Sequence, residues 1–189
     1  MPHTLLILVL LFTLFANVSS SSPPRSSSSS QPKTMSKVQV YLYDLSQGMM
    51  ASLSPSLLGR HFEAVWHTSI VVYGQEFFFG GGINRAAPGT TAAGRPHQVV
   101  DLGETEIPEW MFVQFLHGLQ DKFNAETYHL LRNNCNHFSE EAATFLTGQS
   151  IPQKVRELPD QFLATPFGQM FAPMIDQMFQ QLGGNGAPV

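Results

Sequence analysis

A single cysteine, Cys135, stands in 189 residues. One thiol excludes an intramolecular disulfide and any multi-cysteine zinc ribbon or finger, so neither cross-links nor structural zinc organise this fold. Charge is also scarce. Asp, Glu, Lys and Arg make up 13% of the chain, and 10 Lys plus Arg against 14 Asp plus Glu leave a net charge of −4. The basic residues gather into no patch or stripe, which argues against nucleic acid as a partner. Gly80-Gly81-Gly82 is followed by no Gly-Lys-Ser/Thr and opens no helical pattern, so it is no phosphate cradle. Cys135, His137 and His67 lack the spacing of a metal-ligand set, and no metal or cofactor is expected. Apolar runs stop short of the roughly 20 residues that span a bilayer.

Apolar residues are abundant: 43% of the chain is hydrophobic, with 15 phenylalanines, enough for one substantial core in one domain. Residues 1–20 contain the apolar run Leu5–Ala16, of signal-peptide length and followed by Val18, Ser19 and Ser20, although Met1–Thr4 carries no Lys or Arg. Residues 21–36 are a Ser/Pro-rich linker with little apolar surface to bury. The folded domain is assigned to residues 37–166 and an amphipathic tail to residues 167–189.

Within the domain, Lys37–Asp44 alternates β-branched and aromatic residues as a strand does, and Val65–Tyr73 reads as a central strand. Gly74-Gln75 predicts a hairpin turn into a third strand over Glu76–Phe79. A short helix is expected over Ser54–Leu58, a long loop from Gly80 to Pro96, and a strand over Gln98–Leu102. Pro108 marks a helix start, with Met111, Phe112, Phe115, Leu116 and Leu119 as its apolar stripe. Phe138, Ala142, Phe145 and Leu146 recur at helical spacing before Gly148, so a helix opens at the asparagine turn around Cys135. Strands first and helices later indicate an α+β fold.

The first turn of a helix leaves N–H groups unpaired and carries partial positive charge, so Cys135 is expected to have a stabilised thiolate and a lowered pKa. A buried structural cysteine is the competing reading. His67 shares a strand face with Val65, Ser69 and Val71, and an imidazole within reach of the thiol would be its base. His137 lies about 200° around the helix from Cys135 and is assigned to packing or surface. His61, His97, His117 and His129 have no partner visible in the sequence.

The segments Val40–Ser46, Trp66–Val72, Glu76–Gly80, Val99–Gly103, Asn134–Ser139, Phe145–Gly148, Leu158-Pro159 and Thr165–Gly168 together resemble the PPPDE, or deSI-like (desumoylating isopeptidase), family. The resemblance implies a circularly permuted papain-like cysteine peptidase fold in which the strand histidine precedes the helix cysteine. It makes His67 the base and Cys135 the nucleophile of a dyad, with no third member. It further implies isopeptidase activity on SUMO or ubiquitin conjugates, and a homodimer. The Cys135 N–H is the natural oxyanion donor, with the Asn133 or Asn134 side chain as a second. A channel walled by Trp66 would suit the paired glycines that end such modifiers. Asn134-Cys135-Asn136-His137-Phe138 also resembles the motif of lecithin:retinol acyltransferase-like enzymes, so a protein thioesterase or acyltransferase is the alternative, and an inert modifier-binding module a further one. Isopeptidase activity belongs to cytosol or nucleus, as a start at Met35 would fit, whereas residues 1–20 point to the secretory pathway. The tail's stripe, Phe167, Met170, Phe171, Met174, Ile175, Met178, Phe179 and Leu182, suits packing on the domain or docking of a partner.

Overall fold

A computed structural model describes residues 35–184. The segments expected at residues 1–34 lie outside the described residues. In chain order the elements are β1 (Ser36–Asp44), α1 (Met49–Leu58), β2 (Trp66–Val72), β3 (Gln75–Phe79), β4 (Ile83–Ala86), β5 (Gln98–Thr105), α2 (Glu109–Gly118), α3 (Cys135–Thr147), α4 (Gln153–Arg156), α5 (Leu158–Leu163) and α6 (Pro166–Gly184). The strands form one antiparallel sheet in the order β4-β3-β2-β1-β5, so the architecture is α+β.

Local chemistry sets the register. Val72 pairs with Gln75, and between them Tyr73 (φ 53°) and Gly74 (φ 70°) both take left-handed conformations. That is the two-residue turn whose twist matches the flanking strands. The register it imposes places Ile70 opposite Phe77 on one face and Val71 opposite Glu76 on the other. Every residue of β2 is buried. α3 lies across the sheet, touching β1, β2, β3 and β5, and sets Phe138, Ala142 and Leu146 into a core with Val40, Ile70 and Phe77. Phe115 stacks on Phe145 at 4.0 Å and Phe112 meets Phe77 edge-on at 5.2 Å, which ties α2 to α3 and the sheet. Gly148 ends α3 at φ 70°, as its position in the sequence predicts.

Three elements differ from the sequence reading. α1 starts at Met49 instead of Ser54, because the Asp44 carboxylate accepts the Ser46 and Gly48 N–H groups at 2.9 and 2.6 Å and turns the chain straight out of β1. The long loop after Gly80 contains β4, made possible by Gly81 (φ 69°) and Gly82 (φ 157°), which reverse the chain so that Ile83 pairs with Phe79. β5 runs on to Thr105, through Gly103 at φ 92°.

The tail pattern forms a helix. α6 buries Ile175 and Phe179, and Phe179 packs on Tyr128 and His129 at 5.9 and 5.1 Å. Asp176 accepts hydrogen bonds from His129 at 3.0 Å and Arg132 at 2.7 Å, so α6 grips the loop that leads into Cys135. Met170 and Met174 stay exposed.

Candidate active site

The start of α3 is fixed by side chains acting on backbone. Asn134 is extended at φ −123°, and its Oδ1 accepts the N–H groups of Asn136 and His137 at 2.9 and 3.3 Å. His137 returns the bond by accepting the Asn134 N–H at Nδ1. This reciprocal cap satisfies helix-terminal donors that would otherwise be orphaned, and it gives His137 a structural task. The side-chain amide of Asn133 donates to the Lys122 and Thr127 carbonyls at 2.7 and 3.0 Å, and that of Asn134 to the Leu130 carbonyl at 2.6 Å. Asn133 spends both amide hydrogens on the loop and Asn134 one, so the Asn133 amide is not placed to serve an oxyanion.

Cys135 opens the helix and is 7% exposed. Burial pushes its thiol up from the usual 9.0 to about 11, outweighing the Thr68, Asn136 and Cys135 backbone N–H groups that face the sulfur. The lowered pKa expected from helix position is therefore corrected: at this buried position, desolvation exceeds the pull of the helix N-terminus.

β2 meets this helix start along an edge that the sheet leaves open. β1 pairs with β2 from Trp66 to Val71, whereas β3 pairs only with Ile70–Val72. Beyond Ile70, Asn136 takes over: its Nδ2 donates to the Trp66 carbonyl at 3.0 Å, and its Oδ1 accepts the Thr68 hydroxyl at 2.9 Å. The peptide N–H between His67 and Thr68 points at the Cys135 sulfur. Asn136, the residue after Cys135, is thus tied to the residues on either side of His67.

The His67 ring lies on the sheet face opposite Trp66 and Thr68, 5.8 Å from the Tyr43 ring and 6.4 Å from that of Phe78, and is 2% exposed. Burial lowers its pKa from 6.5 to about 4. On the same face Glu76 is fully buried. Its Oε1 accepts the Tyr43 and Ser69 hydroxyls at 2.6 and 2.7 Å, and its Oε2 accepts the Gly89 N–H at 2.6 Å. The loop after β4 is thereby fastened across the histidine side of the sheet. Burial and the Glu76 hydrogen bond push the Tyr43 phenol well above its usual range.

Glu76 and Asn136 were not among the residues singled out from the sequence. An acid in a run of phenylalanines and an asparagine in the first turn of a helix were the available signals, since each is a poor tenant of its element unless it has a specific partner. Trp66 has the Lys154 ammonium 4.5 Å over its ring and packs against the His97 ring at 5.5 Å. With Asn134 and Asn136 it lines an apolar groove of about 170 Å³ whose walls include Met50 and Leu53 of α1, Phe162 of α5 and Ile175 of α6. Among the described residues no His/Cys/Asp/Glu group could hold a metal ion.

These shifts give a pH signature. His67 binds protons more readily unfolded than folded between pH 6.5 and about 4, so stability falls as pH drops through that window, by about 3 kcal/mol from this group. Cys135 loses its proton more readily unfolded, so stability also falls as pH rises from 9.0 to about 11. Alkylation of Cys135 by iodoacetamide is expected to climb through pH 9 and beyond; a plateau between pH 5 and 8 would show a resting thiolate instead.

A lone cysteine at the capped start of a helix, its neighbour Asn136 bonded to the residues on either side of a buried histidine on the central strand of an antiparallel sheet, is the frame of a cysteine-type hydrolase. The profile described as "PPPDE putative peptidase domain" matches residues 36–176. Desumoylating isopeptidase 1 of Homo sapiens is 47% identical over 158 residues, covering 82% of this chain and 94% of its own. The Xenopus laevis protein of the same name is 46% identical over 151 residues, covering 78% and 89%. The DeSI-like protein sdu1 of Schizosaccharomyces pombe is 30% identical over 141 residues, covering 69% and 67%. The chain belongs to the PPPDE peptidase family and is a cysteine peptidase of the isopeptidase type.

Proposed function

We propose that this protein cleaves isopeptide bonds joining ubiquitin-like modifiers, SUMO first among them, to lysine side chains, with Cys135 as nucleophile and His67 as base. The observation that carries the reading is the docking of the Cys135 helix start against the His67 segment of β2, in a chain whose near relatives are named desumoylating isopeptidases.

Both groups rest neutral, so the thiol proton moves to His67 as sulfur attacks the carbonyl carbon at the modifier's C-terminus. The oxyanion that forms meets the Cys135 N–H. On collapse the C–N bond breaks, the imidazolium gives its proton to the departing lysine amine, and a thioester remains. His67 then takes a proton from water, whose oxygen attacks the thioester, and the returned proton releases the thiol. Approach of a modifier tail alongside Trp66 fits a narrow passage for glycines. Trp66→Ala is expected to lower kcat/KM on a SUMO-lysine substrate by about 10- to 100-fold. Unchanged turnover and affinity would remove Trp66 from substrate selection.

The apolar groove that Trp66 and Asn136 help to line favours a second reading, hydrolysis of an S-acyl thioester on a protein, by the same attack on a different carbonyl. Turnover of SUMO-lysine, ubiquitin-lysine and fluorogenic S-acyl substrates by the full chain separates the two. Preference for SUMO-lysine supports the first, and hydrolysis of the acyl substrate alone would replace it with the second.

A further inference from the structure

We infer that Asn136 is a positioning residue for the nucleophile, completing the open edge of β2 in place of a strand and thereby setting where the sulfur stands relative to His67. The inference rests on the dyad reading above and adds a residue to it.

The hydrogen-bond parity of the sheet requires something at this position. Val65 accepts the Leu45 N–H at 2.9 Å and His67 pairs with Tyr43, so these residues spend their backbone groups on β1. Trp66 and Thr68, alternating with them, turn their N–H and C=O groups the other way, towards β3. The β3 pairing has ended at Ile70. A buried backbone group without a partner costs about as much as a lost hydrogen bond, so this edge has to be satisfied.

A primary amide carries the same donor and acceptor as a peptide, and Asn136 uses both: Nδ2 on the Trp66 carbonyl at 3.0 Å and Oδ1 under the Thr68 hydroxyl at 2.9 Å. The Thr68 N–H, which points the same way, faces the Cys135 sulfur. The thiol therefore occupies an acceptor position that a carbonyl of β3 would otherwise fill. It stays within weak hydrogen-bond reach of Asn136 Oδ1, at 3.7 Å. Asn136 is 5% exposed, in a helix position where asparagine is a poor helix former, which fits a residue retained for these bonds.

Two variants separate positioning from mere packing. Asn136→Ala is expected to lower kcat on a SUMO-lysine substrate by about 100-fold with KM within about 3-fold, because a shift of about 1 Å at the reacting atoms has that effect. Asn136→Asp keeps the shape and the bond from Thr68, loses the donor to Trp66, and sets a charge beside the sulfur. It should move the iodoacetamide–pH profile of Cys135 up by about one unit. Should Asn136→Ala fail to fold, Thr68→Val removes only the hydroxyl bond and is expected to lower kcat by about 5-fold at unchanged KM. Folded variants with wild-type kcat and an unmoved alkylation profile would overturn the inference. The alkylation readout needs no substrate, so a shifted profile in a protein that cleaves no modifier conjugate would sink the isopeptidase reading and leave this one standing.

Discussion

Cys135→Ser is expected to abolish turnover, by about 10⁴-fold or more in kcat, while leaving the fold and thermal midpoint close to wild type. The two side chains differ little in shape, and Cys135 enters no disulfide. The reactivity differs greatly. A hydroxyl is a far weaker acid than a thiol, and the imidazole proposed as its base, with a pKa lowered to about 4, is too weak to offset that. Burial has already moved the thiol up to about 11, so this site depends on the intrinsic nucleophilicity of sulfur as the proton leaves. Single-turnover release of SUMO from a lysine conjugate, with wild type and variant at equal concentration, measures the effect. Residual activity above one per cent of wild type in the serine variant would mean that Cys135 is not the nucleophile.

The largest effect on stability is expected at Glu76. Glu76→Ala strips the acceptor from the Tyr43 hydroxyl, the Ser69 hydroxyl and the Gly89 N–H together. Each buried donor left without a partner costs about 1–3 kcal/mol, so the variant should lose about 3–5 kcal/mol, a large share of the stability of a domain this size. Glu76→Gln should lose less, because its amide oxygen still accepts from Tyr43 and Ser69 while its NH₂ group is turned towards the Gly89 N–H. In urea unfolding, the alanine variant should show a lower midpoint at an unchanged slope. A midpoint within about 0.3 M of wild type, roughly 0.5 kcal/mol, would show that water replaces the carboxylate. The Glu76 network also bears on the site: Tyr43 is held by Glu76 on one side and packs against the His67 ring on the other. Loosening the Gly89 loop should therefore expose the histidine and let its pKa rise towards 6.5.

Much of the frame was legible from short stretches of sequence. The β2–β3 hairpin follows from alternation on either side of Gly74, although the turn is Tyr73-Gly74 and not the expected Gly74-Gln75, since Gln75 already pairs with Val72. α3 follows from the Phe138, Ala142, Leu146 spacing between an asparagine cap and Gly148. β4 was not legible, because Ile83–Ala86 is too short to show a period and only its pairing with β3 makes it a strand. The start of α1 was missed because it depends on a carboxylate at the end of β1 folding back onto the next turn.

By itself, then, the sequence determined the elements whose cause is local: alternation, helical spacing, turn glycines and the capped helix that sets a lone cysteine at its first residue. It also placed a histidine on the central strand. Only the tertiary structure decided the state of that pair and what holds it. The thiol is neutral because the packed sheet and loops desolvate it. Asn136 meets Trp66 and Thr68 from 70 and 68 residues away, and Glu76 meets Tyr43 from 33. Desolvation and convergence of distant groups arise from packing, and no spacing along the chain encodes them directly.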